Sequence, residues 1–132
     1  MSITVAIVED NTEIREMLTR VVERAAGLRF LQSFSNAETA LAELPALAPN
    51  VVIMDIQLPG MDGIECTRRV KETVAGAQVL VFTVFGDSDQ LFKALAAGAS
   101  GYLRKRTPRR EMVEAIRSAI TVSSTSGSSA SC

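Results

Sequence analysis

Apolar positions along the chain follow two alternating patterns. Five short runs rich in β-branched residues, Ile3 to Val8, Leu28 to Phe34, Val51 to Met54, Val79 to Thr83 and the weaker Gly101 to Leu103, read as strands. Near-continuous apolarity in the first, third and fourth predicts strands covered on both faces. Between the first two runs, Ile14, Met17, Leu18, Val21, Val22 and Ala25 recur at helical spacing and form one face, with Gly27 as a natural stop. Ser35 to Glu38 has capping-box spacing, so a second helix is expected to start on Ser35 and end near Pro45 to Pro49. A third helix is expected over Ile64 to Thr73, and a fourth from near Asp87 through Leu91, Phe92 and Leu95 to Gly98. Thr107 as N-cap and Pro108 at the first helical position open a fifth, which carries the stripe Met112, Val113, Ile116, Ala119 and Ile120. Strands alternating with helices predict an α/β fold, a parallel sheet with helices on both faces.

From Thr121 the chain reads TVSSTSGSSASC, without apolar periodicity. Such a stretch is expected to be a disordered tail or linker over 122–132, leaving 1–121 as the folded domain, with any effector domain joined there absent from this chain. The length of 132 residues fits one domain at roughly 150 residues each. The apolar content of 47% supplies a core without disulfides or a structural metal.

Lys plus Arg number 14 and Asp plus Glu 15, and a net charge of -1 gives no bulk field for nucleic acid or an anionic membrane. The absence of histidine excludes imidazole metal ligands, a His general base and Ser-His or Cys-His catalysis. Cys66 and Cys132 lack zinc or redox spacing and fit a reduced, cytoplasmic chain. Glu9 and Asp10 interrupt the first apolar run before a signal-peptide core or membrane span could form.

In an open parallel sheet the strand C-termini share one edge, and ligands bind where the strand order reverses. The first strand ends in Glu9-Asp10, the third in Asp55 and the fourth in Thr83, while the fifth runs into Lys105. If the first and third strands are neighbours, three carboxylates, a hydroxyl and an ammonium converge. Clustered carboxylates persist as anions only beside a cation or with raised pKa values. Mg²⁺ suits such hard oxygen ligands and keeps positions open for phosphate oxygens. A carboxylate there can attack a phosphoryl group, with Lys and Thr stabilising the transferring oxygens.

On these residues the chain resembles the receiver domain of two-component response regulators, over about residues 3 to 121. The supporting segments are Val8-Glu9-Asp10, Met54 to Gly63 with its Leu58-Pro59-Gly60 loop, Val81-Phe82-Thr83, and Gly101 to Lys105. The run Ala96 to Leu103 is similar to the NarL/LuxR-type subfamily of DNA-binding regulators. The resemblance implies a flavodoxin-like strand order 2-1-3-4-5 and Asp55 as phosphoacceptor for a sensor histidine kinase. It implies Mg²⁺ on Asp10, Asp55 and the Gln57 backbone carbonyl, with Glu9 acting through water. Lys105 would pair with the phosphoryl group, Thr83 would swing toward it, and Tyr102 would move inward, altering the face formed by the fourth helix, fifth strand and fifth helix. A phosphorylation-dependent homodimer and a DNA-binding output domain on a longer chain are further implications. Val84 is bulkier than the small residue common there, Phe85 and Gln57 occupy positions that influence hydrolysis, and Arg106 stands where relatives often carry an acid.

Each residue also has a plainer reading. Glu9-Asp10 suits a helix N-terminus, Asp55 a loop cap, Thr83 a strand, and Tyr102 ordinary packing. Gly98 to Gly101 superficially matches a GXXG nucleic-acid loop, but its first glycine is better read as a helix stop. Arg104 to Arg110 holds five basic residues in seven, either a solvated cluster or a docking point for an acidic partner. Two other functions compete: a Mg²⁺-dependent phosphatase with an aspartyl intermediate, and a degenerate receiver that binds partners without phosphate. Against the phosphatase, a haloacid-dehalogenase-type enzyme wants an Asp two residues after its nucleophile, where this chain has Gln57.

Overall fold

A computed structural model describes residues 2–83 and 88–129, with side chains described through Ile120. Strands β1 (Ile3–Val8), β2 (Leu28–Phe34), β3 (Val51–Asp55), β4 (Gln78–Thr83) and β5 (Gly101–Arg104) alternate with α1 (Thr12–Arg24), α2 (Ala37–Leu47), α3 (Gly63–Thr73), α4 (Ser88–Ala96) and α5 (Arg109–Ser129). All strand pairs are parallel, in the order β2-β1-β3-β4-β5. This is the α/β architecture expected from the sequence pattern and the strand order that the resemblance implies, and it makes β1 and β3 neighbours, in register from Val5 opposite Val51 to Val8 opposite Met54.

The near-continuous apolarity of the central strands follows from two cores. Alternate side chains, including Val5, Ile7, Ile53, Leu80 and Phe82, pack under α1 and α5 with Leu18, Val22, Met112 and Ile116. The opposite set, including Ala6, Val8, Val52, Met54, Val79 and Val81, packs under α2, α3 and α4 with Leu44, Cys66, Val70 and Ala94. Both faces are therefore covered, as parallel sheets require.

Helix ends show where local chemistry competed. The expected cap on Ser35 is not used: Asn36 accepts the Thr39 N–H at 2.7 Å and is the N-cap of α2. The expected capping-box partner Glu38 instead reaches across to accept the Met61 N–H at 3.1 Å, so its carboxylate supports a loop 23 residues away. At α5, the first helical bond runs from the Met112 N–H to the Pro108 carbonyl, which places Pro108, not Thr107, at the cap position. The α5 backbone continues to Ser129, past Thr121.

Helix α4 buries Ala94 and part of Leu91, whereas Phe92 is 74% and Leu95 47% exposed, so the expected apolar stripe through Leu91, Phe92 and Leu95 faces the core only in part. Its C-terminus closes as a Schellman motif, Ala99 N–H to Ala94 carbonyl and Gly98 N–H to Leu95 carbonyl, with Gly98 at φ 113°. That conformation accounts for Gly98 as a helix stop. Val84, Phe85 and Asp87 lie outside the described residues. Among the described residues, no helix is long and apolar enough to cross a membrane.

Candidate functional site

The C-terminal ends of β1, β3, β4 and β5 meet at one edge of the sheet, and the reversal of strand order falls between β1 and β3. The first helix after each strand leaves from the same edge, so residues just past strand ends converge there. Oxygens of Glu9, Asp10 and Asp55 lie within 4.8 Å of one another. Glu9 is 1% and Asp55 2% exposed, while Asp10 is exposed.

Backbone and side-chain bonds hold this group in place. The Glu9 N–H donates to the Phe34 carbonyl at 2.9 Å, fixing the end of β1 against β2. Arg15 of α1 turns back and donates from Nη1 to the carbonyls of Glu9 (2.8 Å) and Asp10 (3.3 Å). Glu9 Oε2 accepts the Asn11 N–H at 3.1 Å, and Asn11 in turn caps α1 by accepting the Ile14 N–H at 3.0 Å. Asp55 Oδ1 accepts the Gln57 N–H at 3.2 Å.

Lys105 reaches in from the end of β5. Its Nζ lies 3.2 Å from Glu9 Oε1 and 3.5 Å from Asp55 Oδ1, and 5.7 Å from the centre of the Phe82 ring beneath it. The Lys105 N–H donates to the Thr83 carbonyl at 2.8 Å, so β4 and β5 deliver hydroxyl and ammonium to the same edge. Thr83 is buried at the end of β4.

Burial, reinforced by the repulsion and shared hydrogen bonding of Glu9, pushes the Asp55 carboxyl up to about 7. Lys105 and the Gln57 N–H oppose that rise without cancelling it. Glu9 Oε1 is buried without a well-formed hydrogen bond. Three carboxylates with one ammonium thus leave negative charge uncompensated, and a hard cation on oxygen ligands fits this donor set.

Gly63 shows how closely the next helix is packed. A Cβ there would stand 1.9 Å from the Asp55 carbonyl oxygen, so only glycine lets α3 start against the end of β3. The Gly63 N–H donates to the Ile56 carbonyl at 2.8 Å, and Asp62 caps α3 by accepting the Glu65 N–H at 2.9 Å. The intervening loop walls an open cleft of about 570 Å³ lined by Asp10, Ile56, Gln57, Leu58, Pro59, Asp62 and Gln90.

The sequence-predicted residues Glu9, Asp10, Asp55, Gln57, Thr83 and Lys105 are therefore brought together. Tyr102 stands apart, on edge strand β5 and 46% exposed. Three contributors were not anticipated: Arg15, Glu38 and Gln90. Arg15 sits on the first turn after the acidic pair, where a side chain can fold back onto the strand end. Nothing in the local pattern signals that Glu38 or Gln90 approaches the loop after β3.

Residues 5–117 match the family model of the response regulator receiver domain. The response regulator UvrY of Escherichia coli is 34% identical over 116 residues, which are 88% of this chain and 53% of the relative. The chain thus spans about half the length of that curated relative. A LuxR-family two-component response regulator from Aurantimonas superposes with a TM-score of 0.86 at 33% identity, covering 92% of this chain and 86% of the other. The receiver domain of the response regulator NarL from Mycobacterium tuberculosis gives a TM-score of 0.86 at 25% identity, covering 91% and 97%. Strand order, acidic edge and sequence agree, and the chain belongs to the response regulator receiver domain family, of the NarL/LuxR type.

Proposed function

We propose that this chain is the phosphoacceptor module of a two-component system, with Asp55 taking a phosphoryl group from a sensor histidine kinase. The observation that carries the reading is the placement of Lys105 Nζ between Glu9 and Asp55, whose chain neighbours Asp10 and Gln57 line an open cleft. An Asp55 carboxylate oxygen attacks phosphorus, the P–N bond to the kinase imidazole breaks, and the nitrogen keeps the electron pair as the acyl phosphate forms. Lys105 is already within reach of Asp55 and balances charge on the transferred group. Thr83 donates its hydroxyl to a phosphoryl oxygen. Asp55 ionises more readily once a cation offsets Glu9.

The donor set fits Mg²⁺: Asp10, Asp55 and the Gln57 carbonyl would hold it, with Glu9 through water, and it would supply neutralising charge to the phosphoryl oxygens. Asp10 is exposed on the cleft, whereas Glu9 already engages Lys105 and the Asn11 N–H, which supports Asp10 as the direct ligand. The same constellation supports self-catalysed phosphorylation and dephosphorylation, with Gln57 at the cleft mouth affecting the lifetime.

Redirecting Lys105 from Glu9 to a phosphoryl oxygen biases β5 and the elements beside it. Tyr102 then moves inward from its exposed position as Thr83 shifts, changing the α4-β5-α5 face. That face controls a DNA-binding output domain on a longer chain, acting in the cytoplasm and through a phosphorylation-dependent homodimer. The receiver unit spans 1–121, since the apolar stripe of α5 ends at Ile120, and 122–132 serves as linker.

Amide spectra before and after acetyl phosphate with Mg²⁺ test the switch. Expected are shifts along β4, α4 and β5 including Tyr102, strongly reduced in phosphorylated Lys105→Ala. Phosphorylated wild type without shifts on that face contradicts the switch.

A further inference from the structure

The segment joining β3 to α3 contributes two of the oxygens assigned above to the metal, the Asp55 carboxylate and the Gln57 carbonyl. Its ends are fixed by backbone and side-chain bonds. The Ile56 N–H donates to the Phe82 carbonyl of β4 at 3.3 Å, the Gln57 N–H to Asp55 Oδ1 at 3.2 Å, and the Gly63 N–H to the Ile56 carbonyl at 2.8 Å. Leu58 is buried in the core beneath α2, α3 and α4, whereas Gln57, Pro59 and Gly60 are exposed and the run to Met61 belongs to no strand or helix. Glu38 meets that run from another element. Its Oε2 accepts the Met61 N–H at 3.1 Å, and a Cβ on Gly60 would stand 3.0 Å from the same oxygen, so the loop backbone passes close against the carboxylate. Glu38 is carried on an anchored helix: Asn36 caps α2, and Ala37, Ala40 and Leu44 are fully buried. A carboxylate accepting a backbone N–H makes the stronger, charge-assisted kind of hydrogen bond.

We propose that Glu38 is a positioning residue for the metal site: by holding the Met61 N–H it fixes the course of the β3–α3 loop, and with it the Gln57 carbonyl on which the site draws. The role rests on the Mg²⁺ donor set proposed above, to which it adds a residue that touches neither metal nor phosphoryl group. Groups that orient a metal's ligands from outside raise affinity, because a ligand ordered only at the moment of binding costs entropy. Long-range charge would act differently, since a carboxylate attracts a cation whether or not it accepts the Met61 N–H. Two substitutions separate these effects. Glutamine keeps the reach and an acceptor oxygen without the charge, whereas aspartate keeps the charge and falls one methylene short of the loop.

The test titrates the full chain, ¹⁵N-labelled, with Mg²⁺ alone and no phosphodonor, so the readout is binding rather than phosphorylation. Saturable amide shifts are expected at Asp10, Asp55 and Gln57 in wild type. In Glu38→Ala the Mg²⁺ dissociation constant should rise about three- to tenfold, at or below the low end of what losing an outer partner costs a metal site. The Met61 amide of that variant should also exchange with solvent faster than in wild type. Glu38→Gln should behave as wild type in both measurements, and Glu38→Asp as the alanine variant. Glu38 is exposed, so these variants should fold, and the glutamine and aspartate pair decides the matter even without alanine. Wild-type affinity in Glu38→Ala or Glu38→Asp overturns the proposal and leaves the metal site standing. Affinity in Glu38→Gln as weak as in Glu38→Ala also overturns it, because charge rather than the hydrogen bond then sets binding. Wild type without shifts at Asp10, Asp55 and Gln57 overturns the Mg²⁺ reading itself, and this role with it.

Discussion

Replacing Asp55 by Asn should stabilise the metal-free fold at neutral to alkaline pH. Asp55 is 2% exposed, and burial followed by Glu9 repulsion raises its carboxyl from 3.8 to about 7. The native chain therefore holds this proton more tightly than the unfolded chain. The corresponding stability is present in full below pH 3.8 and is lost as pH rises through about 7. At about 1.4 kcal/mol per pKa unit, the rise from 3.8 to about 7 amounts to roughly 4 kcal/mol. Asparagine keeps the shape and removes the charge, but it also forfeits the attraction of Lys105 at 3.5 Å. The net gain expected at pH 8 is about 1–2 kcal/mol, or roughly 3–8 °C in Tm. Thermal unfolding followed by circular dichroism in EDTA, at pH 8 and pH 4, reads this directly: the gap should open at pH 8 and close at pH 4. Added Mg²⁺ should raise the wild-type Tm and leave the variant nearly unmoved. A variant that melts at or below wild type at pH 8, or a gap of equal size at both pH values, refutes the reasoning.

Gly63→Ala places a Cβ 1.9 Å from the Asp55 carbonyl oxygen, where only backbone can yield. It should cost about 3 kcal/mol in urea unfolding, and a loss under about 1 kcal/mol would mean α3 does not pack as described. Ala48, which ends α2 at φ 46°, is the one non-glycine with positive φ among the described residues. Ala48→Gly should raise the urea midpoint by the equivalent of about 0.5–1 kcal/mol, the relief of left-handed strain less the added unfolded-state entropy; a lowered midpoint counts against that geometry. Burial pushes the Cys66 thiol up to about 12. In a Cys132→Ser background it should resist iodoacetamide at pH 8 until urea unfolds the chain, and rapid labelling of the native protein would show Cys66 to be accessible.

The strands and the acid edge were legible because both depend on short-range pattern. Runs such as Val51 to Met54 read as strands covered on both faces, and residues that follow strand ends must share one edge once the crossovers are right-handed. The α1 stripe Ile14, Met17, Leu18, Val21, Val22 packs as its spacing requires. What escaped were choices between near-equivalent partners. Asn36 rather than Ser35 caps α2 because either side chain can accept an N3 amide, and the loop after β3 draws Glu38 away from the capping box. Exposure of Phe92 and Leu95 was hidden for a different reason: spacing identifies the apolar positions of α4 but not which of them the sheet covers.

The central claim is that Asp55 accepts a phosphoryl group, and intact mass after incubation with acetyl phosphate and Mg²⁺ tests it most directly. The account predicts one added phosphoryl group on the wild-type chain, absent from Asp55→Asn and from a sample treated with chelator. An adduct that persists in Asp55→Asn, or no adduct in wild type when a parallel assay also finds no phosphate release, contradicts it.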